Sequence, residues 1–406
     1  MASEILSAQC CIAGGGPAGM MLGLLLARAG VSVIVLEKHQ DFLRDFRGDT
    51  IHPSTLEVIH ELGLLDRLLA LPHQKVPRIR AQFGDLALTI VDFSTLSTQC
   101  RFVAFMPQWD FLNFIEHEGN RYPTFHLRMQ AEVVDLIEEA GSVVGLRAKI
   151  PDGSLEVRAA LVVGADGRHS VVRTKAGLSV EEFGAPMDVL WFRLSRRPND
   201  SMDPVGRFDT GRIFIMLYRG HYWQCGFVIP KGSLDQIQAR GLPAFRESVA
   251  RLSRFAADRV GELQNWDQIK LLTVQVDRLR QWARQGLLCI GDAAHAMSPI
   301  GGVGINLAIQ DAVATSNLLA DPLRHGTLTV NDLHRVQKRR DWPTRVTQRM
   351  QLFIQDRLIK RILGEEEPLS PPIPLQFLAR FPFLRRIPAR MIGIGFRPEH
   401  VRTPRI

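Results

Sequence analysis

The stretch from Gly291 to Asn306 carries the clearest chemical information in the chain. An apolar run ends at Gly291-Asp292, and an acidic residue at the end of a strand can accept hydrogen bonds from sugar-like hydroxyl groups. A glycine-rich loop follows, and a helix is expected to begin near Asn306. Glycines before a helix leave backbone N–H groups open to an electron-rich ligand. The stretch therefore predicts a flavin site, with Asp292 on the ribityl chain and the helix start at the pyrimidine edge of the ring.

A glycine pattern near the N-terminus predicts a dinucleotide-binding unit. Gly14, Gly16 and Gly19 fit GxGxxG. They follow a buried strand expected at residues 7–13, and a helix is expected directly after them. Such glycines allow a tight turn and the close approach of a pyrophosphate, while the helix start adds N–H donors and partial positive charge. Glu37, at the end of the second strand, would accept hydrogen bonds from an adenosine ribose.

A third pattern makes the combination specific. Asp166-Gly167 follows another buried strand and begins DG-x-x-S-x-x-R, which ends at Arg173. The order GxGxxG, DG-x-x-S-x-x-R and GDAAH-x-x-x-P-x-x-G-x-G-x-N resembles the three-part signature of the group A flavoprotein monooxygenases, the para-hydroxybenzoate hydroxylase-like family. The resemblance spans about residues 8–320, with the three patterns in the family's order.

The resemblance implies FAD as the cofactor and NADPH or NADH as an electron donor that visits transiently. Arg47 and Gln108 would lie near the FAD pyrophosphate. Pro299 and the backbone of Gly304 would form the catalytic environment of the flavin ring. The full set of implied cofactor contacts is Gly14, Gly16, Pro17, Ala18, Gly19, Glu37, Lys38, Arg47, Gln108, Asp166, Gly167, Asp292, Gly301, Gly302, Gly304, Ile305 and Asn306.

The implied reaction is the hydroxylation of an electron-rich aromatic ring by a flavin C4a-hydroperoxide formed with O2. In such chemistry the cofactor supplies the reactivity, and the protein orients the substrate and excludes water. A dedicated acid–base pair is therefore not expected, and His295 is expected to pack or hydrogen-bond structurally. Three alternatives remain open: a same-fold polyprenyl reductase, a flavin halogenase, and a protein that binds FAD without turnover.

The elements around the three patterns predict an α/β fold with an α+β insertion. Buried strands that run into glycine turns indicate a Rossmann-like nucleotide-binding domain, and the resemblance implies an FAD-binding domain of the GR2 type. Aromatic-rich strands after about residue 186 indicate an antiparallel, substrate-binding sheet inserted into that domain. The expected division is 1–75, 101–180 and 270–345 for the FAD-binding domain, 76–100 and 181–269 for the substrate domain, and 346–406 for a C-terminal helical and basic tail.

Large apolar side chains on the inserted strands are candidates for substrate contact. They are Phe214, Met216, Tyr218, Trp223 and Cys225. Because side chains alternate along a strand, Phe214, Met216 and Tyr218 share one face of their strand, and Trp223 and Cys225 share one face of theirs. Either group could instead belong to the core. The central strands lack an obvious arginine clamp for a carboxylate. This favours a larger apolar aromatic substrate, such as a polyketide-like, quinone-like or prenylated ring, over a small benzoate.

Composition narrows the class of protein further. The chain has 406 residues, of which 46% are hydrophobic and 23% charged, as in an ordinary globular protein of more than one domain. Five cysteines without CxxC pairs argue against disulfides and zinc and favour a reducing cytoplasm, and no metal site is expected. The net charge of +8 is spread along the chain, which favours a phosphate-bearing cofactor over nucleic acid.

The C-terminal tail has a distinctive charge pattern. Residues 374–406 contain seven arginines and one glutamate, together with several Phe, Leu and Ile. Such a segment can pack over the rest of the protein, or it can lie on an anionic membrane as a peripheral contact. No uninterrupted apolar stretch reaches the roughly 20 residues of a spanning helix.

Overall fold

The computed structural model describes residues 2–43, 50–84, 86–200, 205–364 and 371–406. The strands are β1 Ala2–Ala13, β2 Val33–Leu36, β3 Thr50–Ile51, β4 Gln74–Val76, β5 Arg78–Phe83, β6 Leu86–Asp92, β7 Val103–Phe105, β8 Phe125–Arg128, β9 Glu132–Glu139, β10 Ser142–Ile150, β11 Gly153–Gly164, β12 Val180–Glu182, β13 Met187–Ser195, β14 Val205–Asp209, β15 Arg212–Tyr218, β16 Tyr222–Pro230, β17 Lys270–Leu272, β18 Asp277–Leu279, β19 Ala283–Arg284 and β20 Leu287–Cys289. The helices are α1 Pro17–Arg28, α2 Pro53–Glu61, α3 Leu65–Leu69, α4 Gln108–Gly119, α5 Val171–Lys175, α6 Leu234–Ala239, α7 Leu242–Leu252, α8 Gly304–His325, α9 Val330–Ile354, α10 Lys360–Gly364, α11 Ile373–Arg380 and α12 Arg386–Gly393.

The parallel strands of the larger sheet end level with one another. In the order β20-β11-β1-β2-β8 every neighbouring pair is parallel. The register pairs Ala13 with Gly164 and with Leu36. Gly164 is paired in turn with Cys289. Each of these residues ends its strand, so the turns that follow all leave the sheet at one edge, and the three sequence patterns and Glu37 start side by side.

Helices α1 and α8, which follow the turns of the first and third patterns, are buried on nearly all sides. Residues 18–27 of α1 and residues 305–316 of α8 are buried. A helix without a polar face lies between other elements, and here α1 and α8 pack against each other beside the sheet. Their N-termini are therefore fixed against the sheet edge.

The second large sheet is the inserted one. Its order is β17-β13-β16-β15-β14-β5-β6, and its neighbours are antiparallel apart from the β14–β5 pair. Side chains of α7, such as Phe245 and Val249, cover one of its faces. The sheet takes strands from both segments predicted for the substrate domain, and it also includes Lys270–Leu272, which pairs with β13.

The C-terminal segment packs back onto the body of the protein. Helix α11 contacts β6, and α12 contacts β6 and the short 3-10 helix Phe93–Thr95. Gly393 closes against Phe93 and Leu96, where an added Cβ would lie 3.0 Å from each side chain. Of the helices described, none combines the length and apolar character that crossing a bilayer requires.

A buried ion pair ties two of the sequence patterns together. The guanidinium of Arg173 lies 3.3 and 3.2 Å from the two carboxylate oxygens of Asp277, which is fully buried. Asp277 Oδ1 also accepts a hydrogen bond of 3.1 Å from the backbone N–H of Ala296. Ser170 caps α5 by accepting from the N–H of Arg173. The last residue of DG-x-x-S-x-x-R is thereby connected to the segment that contains Asp292.

Removing Arg173 from this buried ion pair should destabilise the folded protein. The Arg173→Met substitution leaves the carboxylate of Asp277 as an uncompensated buried charge, and the free energy of unfolding should fall by about 3–5 kcal/mol. Chemical denaturation followed by circular dichroism measures the loss. The double variant Arg173→Met/Asp277→Leu should recover much of it, because neither charge remains. A loss below about 1 kcal/mol, typical of exposed pairs, would contradict this role.

Candidate active site

The turns of all three patterns touch one another at the sheet edge. Gly14 has a positive φ of +103°, and a Cβ added there would lie 2.4 Å from the carbonyl oxygen of Ala165. A Cβ on Gly291 would lie 3.1 Å from the Cβ of Ala18. Glycine at both positions lets the turns approach this closely. The three patterns thus form one continuous site.

The N-terminal turn has room for a ligand at one position. A Cβ on Gly19 would lie 2.0 Å from the carbonyl oxygen of Gly14, so this glycine serves the close packing of strand and helix. Among the described residues, in contrast, no atom lies within 4 Å of a Cβ added to Gly16. Gly16 precedes Pro17, the first residue of α1, and none of the side chains that the structure describes caps that helix. A phosphate could therefore approach the open N–H groups here.

Glu37 is fixed beside the glycine turn. Its Oε2 accepts a 2.9 Å hydrogen bond from the N–H of Gly15, and its Oε1 accepts a 3.0 Å bond from the N–H of His39. The next residue, Lys38, is exposed. The acidic residue of the second strand therefore also holds the shape of the first turn.

Two residues expected near the FAD pyrophosphate, Gln108 and Arg47, lie between the first and second patterns in the sequence. Gln108 is the first residue of α4 and is buried, with Pro107 preceding it. Arg47 lies outside the described residues.

Asp166 stabilises the helix that follows its turn. Its Oδ2 accepts a 3.1 Å hydrogen bond from the N–H of Val172, at the start of α5. Burial raises the pKa of Asp166. Gly167 has a positive φ of +85°, and no atom of the residues described above lies within 4 Å of an added Cβ. The Asp-Gly pair therefore combines a helix-capping carboxylate with an unobstructed glycine.

Asp292 faces an arginine that the sequence did not single out. Arg168 Nη2 lies 3.6 Å from Asp292 Oδ2, and both side chains are partly exposed. Arg168 Nη1 also donates to the carbonyl of Thr273 at 3.2 Å. Arg168 occupies one of the x positions of DG-x-x-S-x-x-R, so the pattern itself gives no signal for it. The contact links the second pattern to the third across the opening of the site.

The glycine loop leads into a helix start without a side-chain cap. Gly301 and Gly302 have positive φ values of 78° and 62°. Helix α8 begins at Gly304, two residues before the predicted start, and no side chain in the described part of the chain caps it. The backbone N–H groups of the first turn, from Gly304 through Ile305 to Asn306, have no carbonyl one turn earlier to bond within the helix. The loop therefore presents donors where an anionic or electron-rich edge would be stabilised.

A network from α2 holds this helix start in place. Asn306 Oδ1 accepts from the N–H of His52 at 3.1 Å and from Thr55 Oγ1 at 2.7 Å. Thr50 Oγ1 donates to the carbonyl of Gly302 at 3.0 Å. The side-chain oxygen of Asn306 is thus already used by the protein. None of these three partners belongs to a pattern that marks it in the sequence.

His52 joins the same region to the C-terminal segment. Its Nδ1 lies 2.8 Å from the carbonyl oxygen of Ile392, and since a carbonyl can only accept, Nδ1 carries the proton. Burial lowers the pKa of His52 to about 4. The side chain of Ile392 packs against Met297, Val303 and Leu307 around the loop. His52 is therefore a neutral, buried side chain that connects the tail to the loop.

His295 lies in the core beneath the site. Its Nε2 lies 2.6 Å from Asp311 Oδ2, and its ring lies 5.0 Å from that of Trp282. Its exposure is 1%. This placement agrees with the structural role expected for it.

The structure places the candidate substrate residues on the side of the inserted sheet that α7 covers. Phe214, Met216, Trp223 and Cys225 are buried in the cluster formed with α7, and Tyr218 packs against the edge of that cluster. Ring–ring contacts explain the placement: Phe245 of α7 meets Phe227 and Phe192 at 5.4 and 5.6 Å between ring centres. The large rings fill the gap between sheet and helix, and so they point away from the loop after Asp292.

The opposite face of the sheet, which we call the loop-side face, meets that loop. It consists of Val189, Trp191, Phe208, Ile213, Ile215 and Val228 and their neighbours in register. Ile300, next to Pro299, packs against this cluster. Pro299 itself is exposed. Trp191, Phe208 and Ile215 remain partly exposed, so the loop-side face offers apolar surface beside the loop.

The lowered pKa of His52 predicts a pH dependence of stability. The unfolded chain takes up this proton near pH 6.5 and the folded chain only near pH 4, so the stabilisation is complete above pH 6.5 and is lost as the pH falls towards 4. His52→Gln removes this effect. The difference in unfolding free energy between the natural protein and the variant should change by about 3 kcal/mol across that window.

Chemical denaturation at several pH values measures this difference. His60→Gln, at an exposed histidine within α2, is the matched control for the change of residue type. A difference that does not vary with pH for His52→Gln, or the same pH dependence in both variants, would contradict the prediction.

Comparison with known proteins agrees with this geometry. The family described as FAD binding domain matches residues 7–350. The chain is 32% identical over 397 residues to the 6-methylpretetramide 4-monooxygenase of Streptomyces rimosus, and the match covers 97% of this chain and 94% of that protein. It is 26% identical over 329 residues to the para-nitrophenol 4-monooxygenase of Pseudomonas sp. (strain WBC-3), covering 78% of this chain and 79% of that one.

A solved structure shows the same fold. The OxyS anhydrotetracycline hydroxylase from Streptomyces rimosus matches with a TM-score of 0.75 at 22% identity, covering 96% of this chain and 76% of that chain. These matches confirm the resemblance and the fold predicted from the three patterns. The chain belongs to the FAD binding domain family, within the group A flavoprotein monooxygenases, the FAD-dependent aromatic hydroxylases.

Proposed function

We propose that this protein hydroxylates an apolar aromatic compound, with FAD as its cofactor, NADH or NADPH as the electron donor and O2 as co-substrate. One observation carries the proposal: the apolar loop-side face meets Ile300, in the loop between Asp292 and the open start of α8. A ring held on this face would lie between the inserted sheet and the residues expected at the flavin. The family supports the chemistry, and this arrangement supports an apolar aromatic substrate.

The residues at the sheet edge fit an FAD molecule in its usual parts. The open space at Gly16 suits the pyrophosphate, and Glu37 stands where an adenosine ribose would bind. The partly exposed carboxylate of Asp292 suits ribityl hydroxyls, with Arg168 beside it. The open N–H groups of α8, at Gly304 and its neighbours, suit the pyrimidine edge of the ring.

The cofactor and the protein residues contribute different parts of the proposed reaction. Bound FAD, reduced by NADH or NADPH, would activate O2, so that one oxygen atom of O2 enters the aromatic ring and the other leaves as water. The start of α8 favours negative charge near Gly304, because its N–H groups and helix dipole are oriented in advance. The loop-side face would orient an apolar ring beside Ile300, and the bound ring would exclude water from this region.

The polar groups near the loop-side face support an apolar substrate. Arg193 and Arg219 lie at the hairpin end of the sheet, where Arg193 stacks over Tyr222 at 4.8 Å and Arg219 donates to Gln224 at 3.0 Å. Both guanidinium groups are thus engaged by neighbouring side chains of the sheet. The S. rimosus relative is named for 6-methylpretetramide. We therefore expect a large aromatic substrate rather than a small charged one.

Substrate-stimulated NAD(P)H oxidation tests the function. Polycyclic phenols, quinone-like rings and prenylated aromatics should accelerate NADH or NADPH oxidation with O2 uptake, and mass spectrometry should show products that gain one oxygen atom. Para-hydroxybenzoate should be a poor substrate. Gain of halogen or of hydrogen instead of oxygen would identify the halogenase or reductase alternative, and bound FAD without turnover would identify the binding protein.

A matched pair of variants connects this activity to the site. Asp292→Asn should weaken FAD binding by roughly tenfold to a hundredfold, the loss expected for hydrogen bonds to a charged group. Asp321→Asn, at an exposed position of α8, should leave FAD affinity unchanged. Titration of the apoprotein with FAD measures both. Equal affinities would contradict the role of Asp292 without excluding hydroxylation.

We also propose a peripheral membrane contact for the outer face of the tail. Ile373, Phe377 and Phe381 lie four residues apart along and just after α11 and are 67%, 53% and 41% exposed, while Phe383 and Ile387 continue the apolar surface. We call these five residues the tail stripe. The exposed residues Arg380, Arg386 and Arg390 adjoin it. Apolar side chains beside arginines suit an anionic bilayer surface.

Vesicle cosedimentation tests this contact. At low salt the protein should sediment with vesicles of phosphatidylcholine and phosphatidylserine, and not with phosphatidylcholine alone, since each arginine contributes about 1 kcal/mol near an anionic surface. Phe377→Ser/Phe383→Ser should remove the binding, and Ile5→Ser, at a residue that is 67% exposed elsewhere, should not. Protein that stays in the supernatant with anionic vesicles would refute the proposal.

A further inference from the structure

We infer that Glu399 is a positioning residue for the turn at Gly291-Asp292, acting from the C-terminal tail through Arg340 and Asp311. The inference rests on the proposed role of Asp292 in holding FAD. Its basis is a chain of buried polar contacts that begins at the backbone of the turn and ends in the tail. Each step is a hydrogen bond or ion pair between different elements.

The first step is the carboxylate of Asp311 in α8. It is fully buried, and its Oδ2 accepts from the N–H of Gly291 at 3.0 Å and lies 2.6 Å from His295 Nε2. Its Oδ1 accepts from Arg340 Nε at 2.9 Å. Burial alone would raise the pKa of Asp311, but the charges and hydrogen bonds of His295 and Arg340 hold it below its usual value. An ionised carboxylate thus fixes the backbone directly before Asp292.

The second step is Arg340 in α9, which is also fully buried. Its Nη1 lies 3.5 Å from Glu399 Oε1 and 3.3 Å from the carbonyl oxygen of Arg397. Glu399 is further held by Arg339, whose Nε and Nη2 donate at 2.7 and 3.1 Å. The backbone N–H of Glu399 donates to Gln310 Oε1, on the residue before Asp311. The tail therefore supplies the second anion that orients Arg340.

The turn has little freedom to adopt another position. Gly291 has a positive φ of +59° and packs between Ala18 and Ala308. If Arg340 loses Glu399, it keeps Asp311 and the carbonyl oxygen of Arg397 but lacks the anion at its far end. A cation buried in this way shifts or draws in water, since its desolvation is no longer offset. The hydrogen bond from Gly291 to Asp311 should then open more often, and the position of Asp292 should become less defined.

The chain provides a matched control for this step. Glu61 in α2 also holds the tail: its Oε2 accepts from the N–H of Val401 at 2.7 Å, and its Oε1 bonds to His400. This contact lies two residues from Glu399 but is exposed and does not lead to Gly291. Glu61→Gln and Glu399→Gln therefore loosen the same stretch of tail, and only the second breaks the chain of contacts to the turn.

Hydrogen exchange of the apoprotein is the first readout. In Glu399→Gln, the backbone around Gly291–Ala296 should exchange roughly tenfold faster than in the natural protein, which corresponds to about 1.4 kcal/mol of lost protection. In Glu61→Gln it should exchange at the natural rate. Thermal unfolding identifies any general loss of stability. Glu399→Asp, which keeps the charge, should restore part of the protection and serves if the glutamine variant folds poorly.

FAD titration of the same three proteins is the second readout. Glu399→Gln should bind FAD roughly tenfold more weakly, and Glu61→Gln as tightly as the natural protein. Equal exchange at the turn in the two variants would overturn the inference. Faster exchange with unchanged FAD affinity would uphold the positioning role and count against the assignment of Asp292 to FAD. Failure of the natural protein to bind FAD would sink the proposed function, while the exchange experiment would still decide the inference.

Discussion

Four parallel strands of the larger sheet end at the same height, and the site depends on this alignment. Because Ala13, Gly164 and Cys289 are paired in register across β1, β11 and β20, the turns after these strands must emerge at the same height. Three turns at one height collide unless their residues are small. Gly14 and Gly291 remove the side chains at the two points of closest approach. Sequence patterns separated by more than a hundred residues thereby become one surface.

Two buried carboxylates hold the third turn at its two ends. Asp311 accepts from the N–H of Gly291, and Asp277 accepts from the N–H of Ala296. Each carboxylate is neutralised by an arginine from another element, Arg340 and Arg173 respectively. The partly exposed carboxylate of Asp292 lies between these anchors. The interior ion pairs therefore define the backbone from which the exposed acid projects, and their desolvation cost is offset by several hydrogen bonds at once.

Local pattern was sufficient to predict the fold and the position of the three turns, because strand, glycine turn and helix follow one another directly in the chain. It could not select the face of the inserted sheet. Both faces are apolar, and the stripe with larger rings, which includes Phe214 and Trp223, packs beneath α7 instead of facing the loop. Nor could it find Asp277 or Asp311, because a single aspartate has no periodicity and its partners lie far away in sequence.

The lone glutamate of the tail shows how charge and topology combine. Among the seven arginines of residues 374–406, one acid would be expected to sit at the surface and pair loosely with its neighbours. Instead Glu399 is 6% exposed and is held by Arg339 and Arg340 of α9. Its carboxylate lies beside the buried guanidinium of Arg340, and Arg340 also binds Asp311 next to the turn. A segment whose outer face is basic and apolar thus contributes, through its single acid, to the geometry of the candidate active site.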